Sequence, residues 1–77
     1  NPLPVTQERP QKLELYNILG QKLLVSRNYS ELQSELKTLA SGVYILRVFY
    51  RQRVLQAKSV LLNGRPLNPL WNGILSR

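Results

Sequence analysis

Cysteine and histidine are absent from this chain. Without cysteine there is no disulfide and no thiolate metal site. Without histidine the commonest general base, the commonest zinc ligand and the side chain that changes charge near neutrality are all missing. Acids are scarce too: Glu8, Glu14, Glu31 and Glu35 are the four present. Glu31 and Glu35 stand one helical turn apart and read as a solvated like-charge pair rather than a working dyad. The four glycines are isolated, so no phosphate-cradling loop occurs. Ser59 and its neighbour Lys58 would point to opposite faces of a strand, which removes the one conceivable serine–lysine pair. Asn28-Tyr29-Ser30 matches the N-glycosylation tripeptide, a pattern that chance supplies easily. No catalytic constellation remains: neither an enzyme, a cofactor nor a metal is expected.

Methionine is also missing, and the first residue is Asn1. The chain therefore reads as a piece of a longer protein or a processed product. No apolar run approaches ~18 residues, so no signal peptide or membrane span is legible.

What is present fits one small domain. Hydrophobic residues make up 43% of the 77, enough for a single sheet-based core. Such a core contributes only ~3–5 kcal/mol net at this size. Lys and Arg number 11 against 4 acids, for a net charge of +7. That balance suits an anionic surface such as lipopolysaccharide, phospholipid headgroups or nucleic acid, or a merely solvated basic exterior. Binding single-stranded nucleic acid needs exposed aromatics among the cations. Arg47, Phe49 and Arg51 offer a thin version only, and burial explains Phe49 equally well. No nucleic-acid partner is expected.

Along the chain, residues 1–11 hold three prolines and read as a linker or entry segment. Lys12–Tyr16 alternates, with Leu13 and Leu15 on one face. Asn17 suits the start of a type I turn, Gly20 the left-handed position of a three-residue loop with a bulge, and Gln21–Ser26 the returning strand. Arg27–Ala40 is in conflict. Leu32, Leu36 and Leu39 have helical spacing and Ser30 with Gln33 fits a capping box, whereas Leu32, Ser34 and Leu36 would share a strand face. Val43–Arg51 is strongly β, with Tyr44, Leu46, Val48 and Tyr50 facing inward. Val54–Leu62 must return in a hairpin, with Leu55, Ala57, Ser59 and Leu61 inward and Lys58 outward. Several short strands with turns between them suggest a small antiparallel β-sandwich. Residues 63–77 follow as an irregular tail in which Gly64, Pro66 and Pro69 forbid simple extension of the last strand; it either hangs loose and screens the end of the sandwich, or folds back to bury Trp71.

In order, the chain offers Asn1-Pro2, Leu15-Tyr16-Asn17, Gly20-Gln21, Leu39, Gly42-Val43-Tyr44, and Lys58 before Val60-Leu61-Leu62. This ordered set resembles the C-terminal sorting domain of proteins exported by the type IX secretion system of Bacteroidota. The resemblance covers about Lys12–Leu62. It implies an all-β, Ig-like sandwich over residues 12–62, complete or one strand short, in which Leu39 plugs one end. Gly42 adopts a backbone conformation closed to other residues, and Tyr44 is a buried anchor. It also implies an extended Gln33–Lys37, so a strand is expected there against local propensity. The family motif residues are thus Tyr16, Asn17, Gly20, Gln21, Leu39, Gly42, Tyr44 and Lys58.

The implied function is a non-catalytic export signal, continuous with an N-terminal cargo domain. An outer-membrane translocon recognises it after passage through the periplasm. A cell-surface sorting peptidase removes it, and the cargo ends at the cell surface or in the medium. Two rivals stay open: an Ig-like structural or adhesive module of a larger secreted protein, and a small basic polyanion binder, whose binding would be salt-sensitive.

Overall fold

A computed structural model describes residues 10–75 of the chain, so of the expected entry segment 1–11 only Pro10 and Gln11 are covered. The described residues form five strands and two helices: β1 (Lys12–Asn17), β2 (Lys22–Ser26), α1 (Tyr29–Leu36), β3 (Gly42–Phe49), β4 (Val54–Leu62), β5 (Arg65–Pro66) and α2 (Pro69–Leu75). The strands make one antiparallel sheet in the order β2-β1-β3-β4-β5. The fold is thus mostly β, as the alternation in the sequence implies. The described strands all belong to this single sheet, and two short helices occupy the layer where a sandwich would place its second sheet.

Alternation decides which face is buried. On the inner face, Leu13 and Leu15 of β1 stand opposite Val48 and Leu46 of β3. Leu46 and Val48 in turn stand opposite Ala57 and Leu55 of β4. Leu13, Leu15, Leu46, Val48, Tyr50 and Leu61 are buried against Leu32 and Leu36 of α1 and Trp71 and Ile74 of α2. The inward assignment of Tyr44, Leu46, Val48 and Tyr50, and of Leu55, Ala57, Ser59 and Leu61, agrees with this register. Arg51 to Arg53 form the expected hairpin link, closed by the Tyr50 N–H donating to the Arg53 carbonyl at 2.8 Å.

The expected strand at Gln33–Lys37 is instead the second half of α1 and its C-cap Lys37. Local propensity wins because helical spacing puts both Leu32 and Leu36 into the core, at 0% and 1% exposure. The cap also lies earlier than Ser30–Gln33 suggests. Asn28 is extended (φ −147°, ψ 169°), and its Oδ1 accepts from the Glu31 N–H at 2.8 Å. Glu35 ties the helix to the sheet, its Oε1 accepting from the buried Ser26 hydroxyl at 2.6 Å. The helix ends where the Thr38 N–H and Oγ1 both turn back to the Glu35 carbonyl, at 3.0 and 2.7 Å.

The described part of the tail is not irregular either. Asn63 and Gly64 have φ of 52° and 80° and reverse the chain into β5, beside Leu61 and Leu62 of β4. Asn68 then starts α2, its Oδ1 accepting from the Leu70 N–H at 2.8 Å. Trp71 is wholly buried and Ile74 is 5% exposed. Pro66 and Pro69 do prevent a long fifth strand, and that is why a helix follows it.

Candidate functional site

The eight motif residues fall into three places. The first is the β1–β2 turn. The Asn17 Oδ1 accepts from the Leu19 and Gln21 N–H groups at 2.9 and 3.0 Å. The Asn17 amide donates to the Gln21 Oε1 at 2.8 Å, and the Gly20 N–H donates to the Asn17 carbonyl at 3.0 Å. Gly20 has φ +86°, the left-handed position that closes such a loop. The register slips between Leu15 and Tyr16, as a bulge requires. Asn17, Gly20 and Gln21 therefore build one turn.

The second place is the corner from α1 into β3. Leu39 is half-buried and packs on the core. Tyr44 is also half-buried, less than an interior anchor would be, and its hydroxyl donates to the Ala40 carbonyl at 2.7 Å, pinning the loop. Gly42 departs from expectation, because its φ lies outside the left-handed region. A Cβ there would meet the Tyr44 ring at 3.7 Å, an ordinary contact. What Gly42 provides is room beside the ring rather than an unusual backbone.

The third place is the open face of the sheet. Tyr16 and Lys58 stand there on either side of Ile45, in register with it. Lys58 is exposed and makes no salt bridge among the described residues. Tyr16 belongs to a small polar cluster with Glu14 at its centre. The Tyr16 hydroxyl donates to the Glu14 carboxylate, and Lys12 and Lys22 each lie 3.2 Å from it. Glu14 is 3% exposed although it faces outward. The Tyr16 hydrogen bond first, and then the two lysines, hold its pKa down at about 2 against the opposing effect of burial. The same bond raises the pKa of Tyr16. Arg47 lies over the Tyr16 ring at 4.9 Å and Lys12 over Phe49 at 4.7 Å.

Sequence reasoning missed the bracket that holds the tail. Ser59 is buried on β4, and its oxygen accepts from the Leu67 and Asn68 N–H groups at 3.1 and 2.9 Å. The Asn68 amide donates to the Lys58 carbonyl at 2.8 Å, and the Trp71 indole to the Ala57 carbonyl at 3.0 Å. Two signals were available. A serine on the inward face of a strand needs partners, and Asn63-Gly64 after an apolar strand is a hairpin dipeptide. A shallow groove of about 510 Å³ remains where α1, β5 and α2 meet, lined by Gln33, Lys37, Arg65 and Asn72 among others.

Among the described residues no three of His, Cys, Asp and Glu come together to hold a metal, and no helix is long and apolar enough to cross a membrane. No curated protein and no solved structure matches the chain significantly. The profile of the secretion system C-terminal sorting domain does match it, over residues 3–62, well over half of the 77. That span includes the turn, the corner and Lys58, so the chain belongs to this family, whose members are the C-terminal sorting signals of type IX secretion.

Proposed function

We propose that this chain is an export signal read in its folded form by the type IX translocon of the outer membrane. It carries an N-terminally linked cargo from the periplasm to the cell surface or the medium. The profile match over residues 3–62 is the observation that carries this reading. The motif residues add its folded character. Asn17, Gly20 and Gln21 form a turn, and Leu39 and Tyr44 form a corner, so their side chains are spent on the fold. An unfolded peptide would present none of that geometry. Tyr16 and Lys58 are the two motif side chains placed on the open sheet face, and we assign them to recognition. A sorting peptidase at the cell surface then cleaves the signal, which is substrate rather than catalyst.

The test is a reporter with an inner-membrane signal at its N-terminus and Asn1–Arg77 fused to its C-terminus. It is expected to leave bacteria with an intact type IX system and to accumulate in the periplasm of a translocon-deficient strain. Equal export from the two strains overturns the proposal and returns the chain to the structural or adhesive class.

A further inference from the structure

Charge is sorted by face in this fold. The open face of the sheet carries Lys12 and Lys22 from the β1–β2 hairpin, Arg47 from β3, Lys58 from β4 and Arg65 from β5, by the strand registers. Its one carboxylate among the described residues, Glu14, is buried and already shared by two of those lysines. The other described acids, Glu31 and Glu35, belong to α1 on the opposite face. Among the described residues, the charges left for a partner on the open face are therefore cationic.

Apolar side chains run between those cations. Val43 and Val60 are directly paired, and Leu62 continues the row along β4. They are 38%, 45% and 52% exposed. An apolar strip edged by charge is the anatomy of a protein interface. A nucleic acid would want free aromatic faces for stacking, but Tyr16 and Phe49 lie under Arg47 and Lys12. A lipid surface would want long apolar side chains that insert, whereas this strip is mostly short valine. Strands of six, five, eight, nine and two residues, spaced ~4.8 Å apart and rising ~3.3 Å per residue, give a face on the order of 500 Å². That is small for a permanent interface and suits weak, releasable docking.

We infer that this open sheet face docks on an acidic protein surface of the export machinery, an inference that rests on the export-signal reading above. Lys58 and Arg65 make no salt bridge among the described residues, so their charge is available to a partner.

The experiment compares three forms of the reporter: unchanged, Lys58→Glu/Arg65→Glu, and Arg27→Glu/Lys37→Glu. The two variants change net charge equally, but the second pair belongs to no strand: Arg27 lies in the link before α1, and Lys37 caps its end. Melting of the isolated chain confirms that each is folded. If a reversal unfolds the chain, the corresponding Gln pair replaces it. Export by the open-face pair is expected to fall at least tenfold while the control pair stays within twofold of the unchanged form. Equal export by both pairs, whether high or low, overturns the inference. Binding to vesicles containing 30% phosphatidylglycerol is expected to be the same for both pairs. A loss confined to the open-face pair would make the acidic surface a lipid and overturn the protein assignment. Failure of the unchanged reporter to depend on the translocon sinks the export-signal reading itself, and is seen separately.

Discussion

Glu14 shows how one residue can be legible in type and illegible in role. Its sequence position, between Leu13 and Leu15, predicts an outward side chain, and that is where it lies. Nothing in the alternation tells that Tyr16, Lys12 and Lys22 close over it, because Lys22 arrives only when the hairpin forms. The folded protein holds the Glu14 pKa at about 2, below the ordinary 4.5, so folding favours the charged form. The stability it contributes is therefore complete above about pH 4.5 and is lost as the pH falls towards 2. The melting temperature is expected to drop over that window, and Glu14→Gln to flatten the drop; identical pH profiles would refute the linkage. The glycines give a second contrast. Gly42→Ala is expected to cost less than ~1 kcal/mol, since its φ is ordinary and the new Cβ meets only a ring at 3.7 Å. Gly64→Ala is expected to cost more, roughly 1–3 kcal/mol, because φ is +80° and the Cβ would sit 3.0 Å from the Lys37 Cα. Denaturant melts of the two variants rank them, and the reverse order would overturn the reading of both turns.

Elements were legible where local chemistry and tertiary packing agree. The β1–β2 hairpin follows from Asn17 and Gly20, and the faces of β3 and β4 follow from alternation, because turn geometry and burial demand the same pattern. The segment from Arg27 to Ala40 was harder. Its leucines fit a helix, and family resemblance argued for a strand; the helix forms because it covers the sheet with Leu32 and Leu36 at once. The cap was misplaced because Asn28 and Ser30 both precede an acid or amide by three residues, and only the backbone at Asn28 is extended. Asn28→Ala is accordingly expected to lower stability by about 1 kcal/mol, and Ser30→Ala by less than ~0.5 kcal/mol. Equal losses in urea melts would mean the helix starts where the capping-box pattern put it. The tail shows the opposite failure. Asn63-Gly64 announced a hairpin, but the prolines after it masked how short β5 is and that α2 takes over.

At the scale of the whole molecule, the folded unit is longer than the stretch that carries the family pattern. The profile ends at residue 62, yet Trp71 and Ile74 supply two of the ten buried apolar side chains among the described residues. Sequence alone suggests that a tail beyond the last motif strand screens the signal, and that its removal would leave the domain intact. Geometry argues otherwise. Ending the chain after Asn63 removes β5 and α2, uncovers Leu36 and Leu61, and strips Ser59 and the Ala57 and Lys58 carbonyls of their donors. Losing a buried tryptophan side chain alone costs ~3–5 kcal/mol, and a core this small has little more than that in reserve. Truncation after Asn63 is therefore expected to abolish cooperative unfolding in circular dichroism melts and to reduce export of the reporter rather than raise it. Trp71→Phe should recover most of the fold but not the indole bond to Ala57, placing it between the two. A truncated chain that still melts cooperatively within a few degrees of the full one would show that the sheet and α1 close a core by themselves. In that case α2 would be an addition to the sorting domain rather than its lid.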